Sequence, residues 1–443
     1  MDVPSPAAAP EATGLTAESL RAALPRTGLF AEKEWLLSPE PFPLAPALVS
    51  ELERLGHRLH QFLGACDRLY RRSAKGTAPA YVAGYLDAGK PGWLVEHARR
   101  SSLAGAVPRV IRPDLLLTAT GKSPTFAISE LDGVPGGIGL TAWLNRTYAA
   151  AGVIGGPDGM LDGFGSILPG GGDILVSAES AGYRPEMGWL AGQLGGSWAV
   201  ESAETYQPRA GRDVYRFFEL FDFHNIPPVR ELARLAEGGE LAVTPPLKPH
   251  LEEKLWAALF WLRPLDRLWR QELRTSHLER LRHAFPYSWV VDPAPLPNHA
   301  VLPRLRIQSW DELAHFSQKD REFALKISGF SETAWGSRGV AIGHDLSGAD
   351  WEAALGRALD AFPHHPHVLQ EFHQAALVRH PYWDPDTGDL RTLEGRARLC
   401  PYYFTSAGDG KTRLGGVLAT IVPADKKVIH GMRDAILVPC MSA

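Results

Sequence analysis

The chain has 443 residues, 45% of them hydrophobic and 22% charged, which is ordinary for packed globular domains and long enough for two or three lobes. Its 44 glycines and 36 prolines stay below the share that marks low-complexity chains, so they predict long ordered loops. A net charge of -4 excludes nucleic acid and anionic membrane as main partners, because both call for clustered Lys and Arg, and leaves a small-molecule or peptide substrate.

The opening MDVPSPAAAPEATG has neither a basic n-region nor an apolar h-region, which predicts a disordered tail over 1–13 and no secretory leader. Leu48, Leu52, Leu55, Leu59, Phe62, Leu63, Cys66 and Tyr70 recur at helical spacing and predict a core-facing helix over 47–72. Cys66 on that stripe reads as a small buried hydrophobe. Cys66, Cys400 and Cys440 are far apart and form no CxxC, which argues against disulfides and zinc and points to a reducing cytoplasm.

The runs RPDLLLTA and PTFAISELD predict two strands joined by a turn at 120–124. Strand alternation would put Arg112 and Asp114 on one face of the first strand, and Phe126, Ile128, Glu130 and Asp132 on one face of the second. Neighbouring carboxylates on one face repel unless a cation lies between them, and Mg²⁺ with phosphate oxygens would resolve that conflict. The glycine-rich Gly133–Gly139 turn would let another chain or a ligand approach the backbone.

Residues 150–172 are glycine-rich and read as a functional loop, followed by strand candidates DILVSA and DVYRFFELFDF. Trp143, Tyr148, Trp189, Trp198 and Tyr206 nearby read either as core or as the lining of a large pocket. After a Pro-rich stretch that suggests a boundary near 245, residues 251–285 read as one or two helices. Their most apolar part, LWAALFWL, is far short of the ~20 residues needed to span a bilayer. In FALKISG, Lys326 stands on a strand with an apolar back and needs an anion. The glycines Gly329, Gly336, Gly339 and Gly343 after it predict a flap whose N–H groups could cover phosphates.

Further strands are predicted in GVAIG, HVLQEF, RARLCPYYF and LGGVLATIV, with a helix near 350–361. Ala119-Thr120-Gly121-Lys122-Ser123 ends like a P-loop, but Leu116 stands where that motif needs its first glycine, so it reads as a turn. Asp384–Asp389 reads as a hairpin turn, because its glycine is one place early for a calcium loop. His364, His365 and His367, interleaved with prolines, read as a loop.

Taken in order, Arg112-Pro113-Asp114, Glu130-Leu131-Asp132, Leu251-Glu252-Glu253-Lys254 and FALKISG resemble the ATP-grasp superfamily. Because the acidic segment precedes the lysines, the chain is similar to the circularly permuted members, such as glutathionylspermidine synthetase and the permuted type 2 ATP-grasp proteins. The resemblance implies an α+β, circularly permuted ATP-grasp fold with an N-terminal helical segment. It makes Asp114, Glu130 and Asp132 Mg²⁺ ligands and Arg112 the cation that steadies the transferring phosphoryl group. Lys254 and Lys326 would be the ATP lysines, with Lys248 a weaker contender for the first. Gly336, Ser337, Arg338 and Gly339 would form the lid, and Gln370, Glu371 and Phe372 the adenine and ribose hinge. Arg398, with Arg396, could contact phosphate or a substrate carboxylate. The family's usual Asn is Asp at position 132, which leaves the metal count open.

The implied organisation is a tail at 1–13, a helical region at 14–105, a metal- and substrate-binding α+β region at 106–245, and an ATP-binding lobe at 246–443. The implied activity is ATP-dependent ligation of a carboxylate to an amine through an acylphosphate, releasing ADP and phosphate. The competing readings are a non-catalytic nucleotide-binding partner and a phosphotransferase that stops before ligation.

Overall fold

The computed structural model describes residues 14–24, 34–120, 125–297, 300–334, 338–426, 429 and 433–443. The tail at 1–13, the turn residues Gly121, Lys122 and Ser123, and the lid residues Gly336 and Ser337 lie outside the described residues. In chain order the strands are β1 (Phe42–Leu44), β2 (Val110–Ala119), β3 (Thr125–Asp132), β4 (Gly172–Val176), β5 (Trp198–Ser202), β6 (Val214–Phe217) and β7 (Val243–Thr244). They continue with β8 (Ser288–Val290), β9 (Phe323–Ile327), β10 (Val340–Ile342), β11 (His367–Glu371), β12 (Leu377–Trp383), β13 (Leu390–Thr405), β14 (Thr412–Pro423) and β15 (Ile436–Ser442). With the helices between them, this is an α+β protein.

Contacts divide the chain into two discontinuous units. The first comprises Met1–Gln61, Val107–Pro246 and Gln374–Ala443, and the second Phe62–Ala106 and Leu247–His373. The apolar stripe read from the sequence forms the helix Pro46–Ala74, and all eight of its predicted core side chains are buried. No helix among the described residues is long and apolar enough to cross a membrane.

The first unit holds two sheets. The larger has the order β1-β15-β14-β13-β2-β3, with β12 also pairing β13. Its pairings are antiparallel except at the edge, where β1 runs parallel to β15. The smaller sheet is parallel, in the order β5-β4-β6-β7.

The glycine-rich stretch expected to be a functional loop instead contains the helix Gly159–Ile167. Its glycines permit close packing against the large sheet. A Cβ on Gly163 would come within 2.3 Å of the Phe404 ring, and one on Gly159 within 2.7 Å of the Gly415 carbonyl oxygen. Gly155, just before the helix, combines φ +84 with a Cβ position 2.0 Å from the same oxygen. Gly155→Ala therefore adds left-handed strain to a backbone clash, and is expected to cost about 2–4 kcal/mol in a urea unfolding curve. The aromatics of this region are largely core: Trp143, Tyr148, Trp198 and Tyr206 are buried, and Trp189 is half-buried.

In the second unit the sheet order is β10-β9-β11-β8, with antiparallel pairings. Trp289, Phe323, Leu325 and Leu369 on one face pack with Trp351, Leu355 and Ala358 of the helix Gly348–Ala361. The segment expected as one or two helices is three, Leu255–Leu259, Asp266–Glu272 and Thr275–Ala284. Pro264 sits in a 3₁₀ turn at the first break, and extended backbone at Leu273 and Arg274 makes the second.

Candidate functional site

The predicted hairpin forms with Arg112 opposite Asp132 and Asp114 opposite Glu130, so these four side chains do share a face. The wider expectation fails one step on. Asp114 pairs with Glu130 while Leu115 pairs with Ile128, which leaves Ser129 as the extra residue of a β-bulge. Because an inserted residue resets the alternation, Phe126 and Ile128 turn to the opposite face, where Ile128 is fully buried.

Arg112 ties this face together. Its Nε donates to Asp114 Oδ1 at 3.0 Å, its Nη1 to the Gly136 carbonyl at 3.0 Å, and its Nη2 lies 3.1 Å from Asp132 Oδ2. From β13, Arg398 Nη1 reaches the other oxygen of Asp114 at 2.8 Å, and the Cys400 thiol lies 3.4 Å from Oδ1. The Val134 N–H donates to Asp132 Oδ1 at 2.8 Å. Burial works against a charged Asp114, but Arg112 and Arg398 outweigh it and hold the carboxyl below its ordinary value. Asp132 moves the other way: burial raises it, Glu130 and Asp114 add to the rise, and Arg112 opposes. Glu130 is the exposed member. Burial pushes the Cys400 thiol up to about 12, so it is no nucleophile.

The glycine turn that was expected to admit a ligand is filled by this chain's own side chains. A Cβ on Gly136 would lie 2.3 Å from the Tyr183 ring, and Gly137, at φ +88, faces the Tyr402 hydroxyl. The Gly136 carbonyl accepts from Tyr402 Oη at 2.9 Å as well as from Arg112. Arg396 is directed elsewhere, donating to the carbonyls of Ala424 and Ala375, so of Arg396 and Arg398 it is Arg398 that joins Asp114.

Among the described residues no three His, Cys, Asp or Glu side chains form a ready-made metal cage. The expected ligands Asp114, Glu130 and Asp132 are instead interleaved with guanidinium groups. Mg²⁺ at nucleotide sites takes one or two carboxylates and completes its shell with substrate phosphates, so Asp114, Glu130 and Asp132 are the carboxylates on this face that such an ion could use.

In the second unit Lys326 lies on β9, and its Nζ donates to Gln370 Oε1 on β11 at 2.8 Å. Gln370 shares that face, whereas Glu371 turns to the other, where both its oxygens meet Arg304 Nη1 at 2.8 and 3.0 Å. The N–H groups of Glu371 and Phe372 donate to the carbonyls of Tyr287 and Glu322. Lys254 Nζ donates to the Ala334 carbonyl at 2.6 Å. Lys248 is wholly buried, donating to Asp67 Oδ1 at 2.9 Å and to the Ala106 carbonyl at 2.8 Å, so Lys254 is the accessible one of the two contenders. Glu253 turns inward, 2.5 Å from Lys90 Nζ, and accepts from the Ser328 hydroxyl and the Gly329 N–H.

Arg338 is exposed. Gly339 packs tightly, its Cβ position 2.3 Å from Ile327, and Gly329 lies against the Glu252 carbonyl, so these two glycines serve packing. Arg304 was missed by sequence reasoning. Its signal was no stronger than a lone Arg in a proline-flanked loop.

No protein-family model matches this sequence, and no curated protein sequence matches it. Among solved structures, a glutathione synthetase-like effector from Globodera pallida, in its apo form, is similar over 92% of this chain and 90% of its own, with TM-score 0.50 and 11% identity. At that identity the likeness is one of fold.

Proposed function

We propose that this chain is an ATP-dependent carboxylate–amine ligase with a circularly permuted ATP-grasp arrangement. The observation that carries the reading is the convergence of Arg112 and Arg398 on Asp114, beside Glu130 and Asp132, on one face of the large sheet. The fold shared with a protein described as glutathione synthetase-like supports it, as does the pairing of Lys326 with Gln370 in the second unit.

Under this reading Asp114, Glu130 and Asp132 supply the oxygens for Mg²⁺, which neutralises phosphate charge when bound. Lys254 and Lys326 release the Ala334 carbonyl and Gln370 to take phosphate oxygens. Arg112 and Arg398 stabilise the charge that develops as the γ-phosphoryl group passes to a substrate carboxylate. Attack of an amine on the resulting acylphosphate then expels phosphate. No protein nucleophile is needed. The described cysteines are free and buried, which suits a reducing cytoplasm.

Calorimetric titration with ATP, with and without Mg²⁺, tests the reading. Wild-type protein is expected to bind ATP in a magnesium-dependent way, and Glu130→Ala and Lys326→Ala are each expected to weaken that binding by about tenfold or more, as loss of a charge-assisted contact implies. A wild-type protein that ignores ATP would remove the proposal altogether.

A further inference from the structure

We propose that Glu253 is a positioning residue that holds Lys254 against the face of the second unit's sheet carrying Lys326, so that both lysines meet one phosphate chain; this rests on the ATP-binding reading. Phe323 and Leu325 of β9 pack with the helix Gly348–Ala361 on one face of that sheet, and alternation turns Lys326 to the other. Ser328 continues the pairing one step past β9, its N–H donating to the Pro366 carbonyl at 3.0 Å, so its side chain falls on the face of Lys326. There the Ser328 hydroxyl accepts from the Leu255 N–H at 3.2 Å and donates to Glu253 Oε2. Lys254 lies between these two attachments. One residue on either side of it is thereby tied to Ser328, two residues beyond Lys326.

The Glu253 carboxylate has two further partners. Oε2 also accepts from the Gly329 N–H at 3.0 Å, and Oε1 lies 2.5 Å from Lys90 Nζ. Both side chains of that ion pair are almost wholly buried, at 1% and 2% exposure. The backbones approach closely at the same point, since a Cβ on Gly329 would lie 2.0 Å from the Glu252 carbonyl oxygen. Lys90 comes from the helical segment before β2. Gly89, at φ +69 and with a Cβ position 2.1 Å from the His364 carbonyl oxygen, makes the turn that brings it in. A buried ion pair adds little net stability over apolar side chains of similar volume, so what this one supplies is orientation. With Glu253 held by Lys90, Ser328 and Gly329, the Lys254 side chain leaves from a fixed backbone and reaches the Ala334 carbonyl, the contact it exchanges for phosphate.

The test is a double-mutant cycle on Mg-ATP affinity, measured by calorimetry on the full chain. Ser328→Ala removes the hydroxyl that joins Glu253 to Leu255 and leaves the ion pair intact. Lys90→Met/Glu253→Leu removes both charges together, so that neither is stranded. Each is expected to weaken Mg-ATP binding about five- to tenfold, the size of coupling between residues in contact. In a Lys254→Met background neither should weaken it by more than about twofold, because the group being positioned is gone. Melting temperatures are recorded alongside, since a merely structural role would lower them without making the affinity losses depend on Lys254. If wild type binds Mg-ATP and these variants bind it equally well, or if their losses add in full to that of Lys254→Met, positioning by Glu253 is wrong and the ATP reading stands. Should Lys90→Met/Glu253→Leu fail to fold, Ser328→Ala alone carries the cycle. A wild-type protein that does not bind Mg-ATP overturns the two together.

Discussion

Arg112→Lys is expected to slow ATP turnover by about 10³-fold, the scale set by arginines that meet a transferring phosphoryl group. Charge is conserved in this substitution, so what is lost is geometry. Arg112 meets Asp114, Asp132 and the Gly136 carbonyl with three different nitrogens, and an ammonium group cannot span all three. Arg398→Lys should cost less, since its contact with the second oxygen of Asp114 is made by one nitrogen and an ammonium can replace it in part. The measurement is ADP release in the presence of a carboxylate and amine pair found by screening, alongside Mg-ATP binding. Binding should survive within a few-fold while turnover collapses. A drop in turnover of less than tenfold would remove Arg112 from the phosphoryl site.

Asp67→Ala is expected to destabilise the second unit by about 3–5 kcal/mol, the usual result of removing one partner from a buried ion pair. Asp67 accepts from Lys248 and His250 on one oxygen, and from Arg71 and the Gly105 N–H on the other. Lys248 is wholly buried, and without Asp67 its charge would have no counterpart. A urea unfolding series reads the loss, and the double variant Asp67→Leu/Lys248→Met should recover most of it by replacing charge with apolar volume. A single variant as stable as wild type would show that the pair contributes little.

The same cluster gives the second unit an acid limit. Burial, against the pull of Asp67, lowers His250 from its ordinary 6.5 to about 4. Between those values the unfolded chain takes up a proton that the folded chain refuses, so stability rises with pH there and falls as pH drops below about 6.5. The slope from this group approaches roughly 1.4 kcal/mol per pH unit. Asp67, held below its ordinary range mainly by His250 and Lys248 despite its burial, adds to the loss only at more acidic pH.

Features that depend on neighbours in sequence were readable from the sequence. The helix Pro46–Ala74 announces itself because a 3.6-residue period must repeat along one face, and the β2–β3 hairpin because two apolar runs flank a turn. Lys326 on a strand with an apolar back was likewise local. The bulge at Ser129 was not, since nothing in TFAISELD marks which residue will be looped out. The glycines of 155–163 were misread because a glycine that permits close packing looks the same as one that permits a loop. The bond between Arg398 and Asp114 joins residues 284 apart. The burial of Lys248 depends on Asp67, and the stack of Arg304 on Tyr287 depends on a backbone conformation that arginine seldom adopts.

The strand order also fixes a timetable for synthesis. In β1-β15-β14-β13-β2-β3 the middle of the sheet is supplied by strands that leave the ribosome after almost everything else, while its two flanks are made early. The β2–β3 hairpin, with Arg112, Asp114, Glu130 and Asp132, must wait through some 260 residues of translation before β13 brings Arg398 beside it. Until then two exposed strand edges need protection from pairing elsewhere. A nascent chain halted before β13 would carry every acidic residue of the proposed site and Arg112, but not the second guanidinium that holds Asp114.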